Sequence, residues 1–136
     1  MLCNQVPLDE RTAAQYSPLT LAYLGDSVYE LLVRERLIRE GNRPNGAMHT
    51  TAKQFVCAAG QDKGLARILE ELTTEEEAIY RRGRNSNASG GKHTDPLQYK
   101  RATGVEALFG YLYLTGQTQR MRNLFGKMFP ELKEEF

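Results

Sequence analysis

Two acids in this chain sit where an acid is expensive to place. Asp26 lies in the middle of an apolar run, LTLAYLGDSVYELLVRE at residues 19–35, and Glu106 lies in the middle of a second, TGVEALFGYLYL at residues 103–114. In the first run Leu21, Leu24, Val28, Leu31 and Leu32 recur at spacings of three and four, which puts them on one stripe of an α-helix. Val105, Leu108, Phe109 and Leu112 form the matching stripe in the second. A carboxylate beside such a stripe is costly to desolvate unless it is paired, hydrogen-bonded or bound to a metal. A solvent-facing Asp26 on an amphipathic helix would explain the first run alone, but the repeated plan calls for a joint explanation. Each acid also has a glycine close by, Gly25 and Gly110. Glycine costs about 1 kcal/mol relative to alanine inside a helix, so both are better explained by close approach of another backbone. The pattern therefore predicts two tightly packed helices with Asp26 and Glu106 facing each other. As hard oxygen ligands on separate rigid elements, they suit a Mg²⁺ ion that keeps several of its waters.

Other polar residues are weighed against plainer roles. Glu30, four residues after Asp26, is a further ligand through water or, by preference, the partner of Arg34 in an i,i+4 pair. Tyr23 and Tyr29 are read as packing residues ahead of phosphate or water contacts. Net charge is only +1, yet Arg81, Arg82, Arg84, Lys92, Lys100 and Arg101 face one acid, Asp95, over residues 81–101. Five acids and no base occupy residues 70–77, which masks this concentration in the total. With His93, these bases form a candidate surface for a polyanion, set against the alternative of a solvated basic face. His49 and Lys53, one helical turn apart, are a weaker second patch. Two histidines and two unclustered cysteines do not make a zinc site. Cys3 is expected to be free at the terminus and Cys57 to be packed, as in a cytoplasmic chain.

These residues must be positioned by helices. The chain has 136 residues, 40% of them hydrophobic, enough for one domain spanning 1–136 with one core. No run approaches a membrane span, and no secretory leader is evident at the N-terminus, so cytoplasmic residence is expected. A short helix is expected over residues 7–14. Ser17 and Pro18 start a long one that Gly41 stops near residue 39. Further helices are expected over residues 47–59, with a break at Gly60, and over residues 62–72. Thr74 and Glu77 match a capping box, starting a helix that reaches Gly83. Residues 85–94, NSNASGGKHT, read as a surface loop. Asp95 and Pro96 open the Glu106 helix, Gly116 ends it, and residues 118–129 form the last. Strict alternation is too rare for a sheet, so the fold class is all-α, a bundle of six or seven helices.

The LGDSVYELLV run at residues 24–33 resembles the signature helix of the ribonuclease III family, and VEALFGYLYL at residues 105–114 resembles its second acidic helix. The two occur in family order about 80 residues apart, and the likeness extends over residues 7–129. The chain is most similar to the short subgroup called mini-ribonuclease III, which consists of the catalytic domain without a double-stranded RNA-binding domain. The resemblance implies a homodimeric, Mg²⁺-dependent endoribonuclease, with Mn²⁺ as an acceptable substitute, that cuts double-stranded RNA to 5′-phosphate and 3′-hydroxyl ends. It makes Asp26 and Glu106 the catalytic and metal-binding residues. Longer family members carry two additional acids where this chain has Ala22 and Thr103, with Leu19 one turn before Ala22, and the short subgroup shares that sparser set. The implied task is maturation of the 23S ribosomal RNA precursor, and the implied partners are duplex RNA, a second copy of the chain and an assisting ribosomal protein. The signature helix, apolar and glycine-bearing, is expected to form the dimer contact. Competing readings are a catalytically inactive RNA-binding or ribosome-associated relative and a purely structural helical dimerisation domain.

Overall fold

Helix α6, Pro96–Leu114, runs through the middle of the fold, and the other elements are laid around it. The structure is a computed structural model that describes residue 2 and residues 5–86 and 95–132. In chain order the remaining helices are α1, Glu10–Ala14; α2, Pro18–Glu40; α3, Asn45–Val56; α4, Ala58–Ile68; α5, Thr74–Arg84; and α7, Thr118–Met128. A 3-10 turn at Leu69–Glu71 links α4 to α5, and no strand occurs among the described residues.

Helix α6 is buried nearly all round over its second half, where Val105, Ala107, Leu108, Phe109, Tyr111 and Leu112 all lie in the core. A helix that is apolar on every side must be enclosed by neighbours, and α2, α4, α5 and α7 supply them. Asp95 caps its start by accepting from the Leu97 and Gln98 amides, as the Asp-Pro opening predicts. Tyr29, Phe109, Phe125 and Phe129 fill the space between α2, α6 and α7 with edge-to-face contacts.

Several expectations are corrected. Leu31 does not join the core stripe of α2: it is 52% exposed and shares an outer face with Leu19, Tyr23 and Ile38. The core face instead uses Leu21, Ala22, Gly25, Val28, Tyr29, Leu32 and Val33. The capping box of α5 lies one residue earlier than predicted. Thr73 accepts from the Glu76 amide at 3.1 Å, and the Glu76 carboxylate accepts from the Thr73 amide at 2.9 Å. A tertiary contact favours this choice, since Arg120 of α7 holds Glu76, while Glu77 pairs within α5 with Arg81. Burial raises the Glu76 pKa, but Arg120 and the Thr73 bonds outweigh it and hold the carboxyl below its usual range. The first short helix starts at Glu10 because Asp9 accepts from the Thr12 amide and caps it there.

The break between α3 and α4 falls at Cys57 and not at Gly60. Cys57 is extended, ends α3, and accepts from the Gly60 amide through Sγ at 3.4 Å, so it also starts α4. Gly60 then lies in the first turn of α4, where an added Cβ would meet the Gln54 carbonyl oxygen at 2.2 Å. Cys57 is exposed and free, contrary to the packed thiol expected; Cys3 lies outside the described residues.

Candidate functional site

Where α2 crosses α6 the two backbones touch. A Cβ on Gly25 would stand 1.6 Å from the Glu106 carbonyl oxygen and 2.8 Å from the Gly110 nitrogen. One on Gly110 would stand 2.0 Å from the Leu21 carbonyl oxygen. Both glycines are therefore required by close approach, as their positions in the two apolar runs predict. Since Asp26 follows Gly25 and Glu106 supplies the carbonyl that Gly25 meets, the crossing brings the two acids together, and their carboxyl groups interact directly. Asp26 is exposed and Glu106 is half-buried.

A second carboxyl beside a half-buried one disfavours charge on the buried partner, Glu106. Burial, followed by the hydrogen bond and charge of Asp26, pushes the Glu106 pKa up to about 8, with the Gln61 amide acting in the opposite direction. Either a proton or a cation relieves such a pair. Among the described residues no cluster of three or more His, Cys, Asp or Glu side chains forms. The donor set is thus too sparse for a closed zinc or calcium cage but fits Mg²⁺, which accepts one or two carboxylates and keeps its waters.

The rest of the site comes from the α3–α4 elbow. Gln61 of α4 donates from Nε2 to Glu106 Oε2 at 3.3 Å and to the Val56 carbonyl at 3.1 Å. Tyr29 of α2 donates from its hydroxyl to the Phe55 carbonyl at 2.6 Å, tying the elbow to the acid-bearing helix. Burial is the main cause of a strongly raised Tyr29 pKa, so the phenol stays a donor. Its predicted packing role is met, whereas Tyr23 is 85% exposed. Glu30 pairs with Arg34 at 2.9 Å, the plainer of its two readings. Gln61 was not among the sequence candidates, although a signal existed: it lies four residues before Leu65 and seven before Ile68, a polar residue on an apolar stripe. Ala22 and Thr103, the positions compared with acids of the longer family members, are both buried, and Thr103 donates to the Tyr99 carbonyl at 3.0 Å.

The predicted basic residues are differently engaged. Arg101 makes a two-point pair with Asp62 of α4 at 2.5 and 3.0 Å. Arg82 donates to the carbonyls of Ala14 and Tyr16, stapling the α1–α2 connection to α5. Arg81 pairs with Glu77. Arg84 lies over the Tyr80 ring, 5.7 Å from its centroid, and donates from Nε to Asn85 at 3.2 Å. Lys100, at the start of α6, and His49 and Lys53, on α3, are exposed. Lys92 and His93 lie outside the described residues.

Comparison with known proteins gives a consistent picture. A family model described as Ribonuclease III domain matches residues 19–117. A Mini-ribonuclease 3 of Symbiobacterium thermophilum is 47% identical over an alignment covering 76% of this chain and 81% of the relative. The Mini-ribonuclease 3 of Desulfitobacterium hafniense is 43% identical, covering 92% of this chain and 80% of the relative. A crystal structure of a protein from Fusobacterium nucleatum superposes with a TM-score of 0.79 at 28% identity, covering 86% of this chain and 91% of that one. Among the described residues no helix is long and apolar enough to cross a membrane.

Proposed function

This chain belongs to the ribonuclease III family and, within it, to the mini-ribonuclease III group, and on that premise we propose that it hydrolyses double-stranded RNA at a metal site formed by Asp26 and Glu106. The observation that carries this reading is the glycine-lined α2–α6 crossing, which brings two carboxyls from distant parts of the chain into contact where a cation is the natural relief of their repulsion. Exposed Asp26 and half-buried Glu106 would hold Mg²⁺, with Mn²⁺ as a substitute. When bound, the ion supplies charge relief to the phosphoryl oxygens and lowers the pKa of an attacking water. Asp26 presents its carboxylate to solvent, where a backbone phosphate can reach it. Glu106 is held from behind by Gln61, and Tyr29 fixes the elbow that carries Gln61. Hydrolysis breaks the bond between phosphorus and the 3′ oxygen and leaves a 5′-phosphate.

The duplex is gripped through phosphates and 2′-hydroxyls, since the deep major groove of A-form RNA hides base edges. Arg81, Arg84, Lys100, Lys53 and His49 are the described residues offered for this, together with Lys92 and His93. Arg82 and Arg101 hold the fold through Ala14, Tyr16 and Asp62 and so contribute charge more than contact. Two copies joined through the outer face of α2, where Leu19, Tyr23, Leu31 and Ile38 are exposed, would pool these cations along one duplex. The glycine face of α2 is occupied by α6 within the same chain, which leaves this outer face of the signature helix for the contact. Cytoplasmic maturation of the 23S ribosomal RNA precursor, with a ribosomal protein assisting, is the cellular task that family membership favours.

A Mg²⁺ titration of cleavage of a plain RNA duplex tests the reading. Wild-type protein is expected to cut only with the metal, and Asp26→Asn and Glu106→Gln to lose at least 100-fold in turnover while still binding the duplex. Near wild-type turnover by either variant would refute the assignment, and metal-independent duplex binding without cleavage would identify a catalytically inactive relative.

A further inference from the structure

Gln61 is 2% exposed, and both ends of its amide have a definite environment. Nε2 lies between two acceptors, the Val56 carbonyl at 3.1 Å and Glu106 Oε2 at 3.3 Å. Turning the amide over would set Oε1 against those same two oxygens, so the orientation is dictated by its neighbours. The consequence is that Oε1 is buried without a donor among the described residues, one of two such side-chain atoms. A buried polar atom without a partner requires a reason, and packing does not supply one here: leucine or methionine would fill this place on the Leu65 and Ile68 stripe without an unmet acceptor.

The reason lies in what an amide does beside a metal-binding carboxylate. A lysine or arginine would neutralise Glu106 and compete with a cation, and another carboxylate would add to the repulsion between Glu106 and Asp26. A neutral donor fixes the direction of the carboxylate while leaving its charge available. The Val56 carbonyl serves as the anchor, because it belongs to the last residue of α3 and the elbow is fixed by Tyr29 on Phe55 and by Cys57 on Gly60. Gln61 thereby links all three structural parts of the site: the elbow through Val56, α6 through Glu106, and α2 through the contact of Glu106 with Asp26.

We infer that Gln61 is a positioning residue for the metal site, its amide anchored on the Val56 carbonyl so that Nε2 holds the Glu106 carboxylate toward Asp26. The inference rests on the metal reading of Asp26 and Glu106. It separates Gln61 from a core residue, whose loss would lower stability and leave metal affinity alone.

The test is Mn²⁺ binding to the free protein, measured by calorimetry or by the paramagnetic resonance of the unbound ion, with RNA cleavage as a second readout. Gln61→Met keeps the length and volume and removes the donor. Gln61→Asn keeps the amide and withdraws it by one methylene. Each is expected to weaken Mn²⁺ binding by 10- to 100-fold, the range found when a partner of a metal ligand is removed. Each should lower kcat at fixed metal while leaving KM for duplex RNA unchanged, and activity should recover as Mn²⁺ is raised. Circular dichroism reports whether each variant is folded, and Gln61→Asn carries the test if the apolar replacement is not. Wild-type Mn²⁺ affinity in the Gln61 variants beside a lost affinity in Glu106→Gln would overturn this inference alone. Wild-type affinity in Glu106→Gln would bring down the metal reading and this inference with it.

Discussion

Replacing Gly25 by alanine perturbs the site while leaving both acids in place. The new methyl would stand 1.6 Å from the Glu106 carbonyl oxygen, whereas an ordinary carbon–oxygen contact is about 3.3 Å. Both atoms are tied to helical backbone, so neither can swing aside, and α2 and α6 must part by on the order of 1–2 Å. Overpacking of this kind costs roughly 1–3 kcal/mol, and the contact lies at the severe end of that range. Alanine returns about 1 kcal/mol of helix propensity. The net expectation is a loss of about 2 kcal/mol, read as a lower urea midpoint at unchanged slope. The effect on cleavage is expected to be larger, because a displacement of about 1 Å between reacting groups can cost on the order of 100-fold. Turnover should be measured with Mg²⁺ well below the unfolding midpoint, so that loss of folded protein does not enter. Gly46→Ala is the control, since its Cβ would meet nothing within 4 Å, and both readouts should stay near wild type. A Gly25→Ala protein with wild-type midpoint and turnover would refute the claim that backbone contact at this crossing holds the acids together.

In metal-free protein the raised Glu106 pKa means that the folded state retains a proton which the unfolded chain has lost, so its contribution is present in full below about pH 4.5 and is lost as pH rises toward 8. Thermal melts in chelator should fall across that window, by about 1.4 kcal/mol per pH unit at most, and Glu106→Gln or added Mg²⁺ should flatten the fall; an equal slope in Glu106→Gln would exclude this origin. Reversing charge at Arg84 and Lys100 together should weaken duplex binding and shallow its salt dependence, and an unchanged slope in a salt titration would remove both from the contact surface. Leu31→Glu with Ile38→Glu should convert a dimer to a monomer in analytical ultracentrifugation without lowering the helical signal, because both side chains are exposed at 52% and 60%; a persistent dimer would place the interface elsewhere.

Much of the site is legible along the chain because its two acids stand in apolar helical runs where their cost is conspicuous, each beside a glycine that helix propensity disfavours. The all-helical class, the Asp95 cap and the Gly116 stop follow from short-range rules that operate within one or two turns, and Gly116 does adopt a left-handed φ of 72°. Other features depend on contacts that periodicity does not encode. Leu31 satisfies the spacing of a core residue as well as Leu32 does, and only the position of α6 decides which of them is covered. Thr73 and Thr74 are equal candidates for a cap until Arg120, 44 residues away from Glu76, selects one. Arg82 and Arg101 read as free cations in a basic stretch, yet the fold gives them carbonyl and carboxylate partners from distant segments. Gln61 belongs to the same class: its sequence neighbours mark it as unusual, but its meaning depends on Val56 and Glu106, which reach it only through the elbow and the central helix. The sequence by itself determined which residues could do chemistry and that helices would carry them, since side-chain type and helical period are local properties. Tertiary structure alone decided how closely the two acids meet, which bases stay available and which amide holds the site, because those are distances between segments that only packing brings into contact.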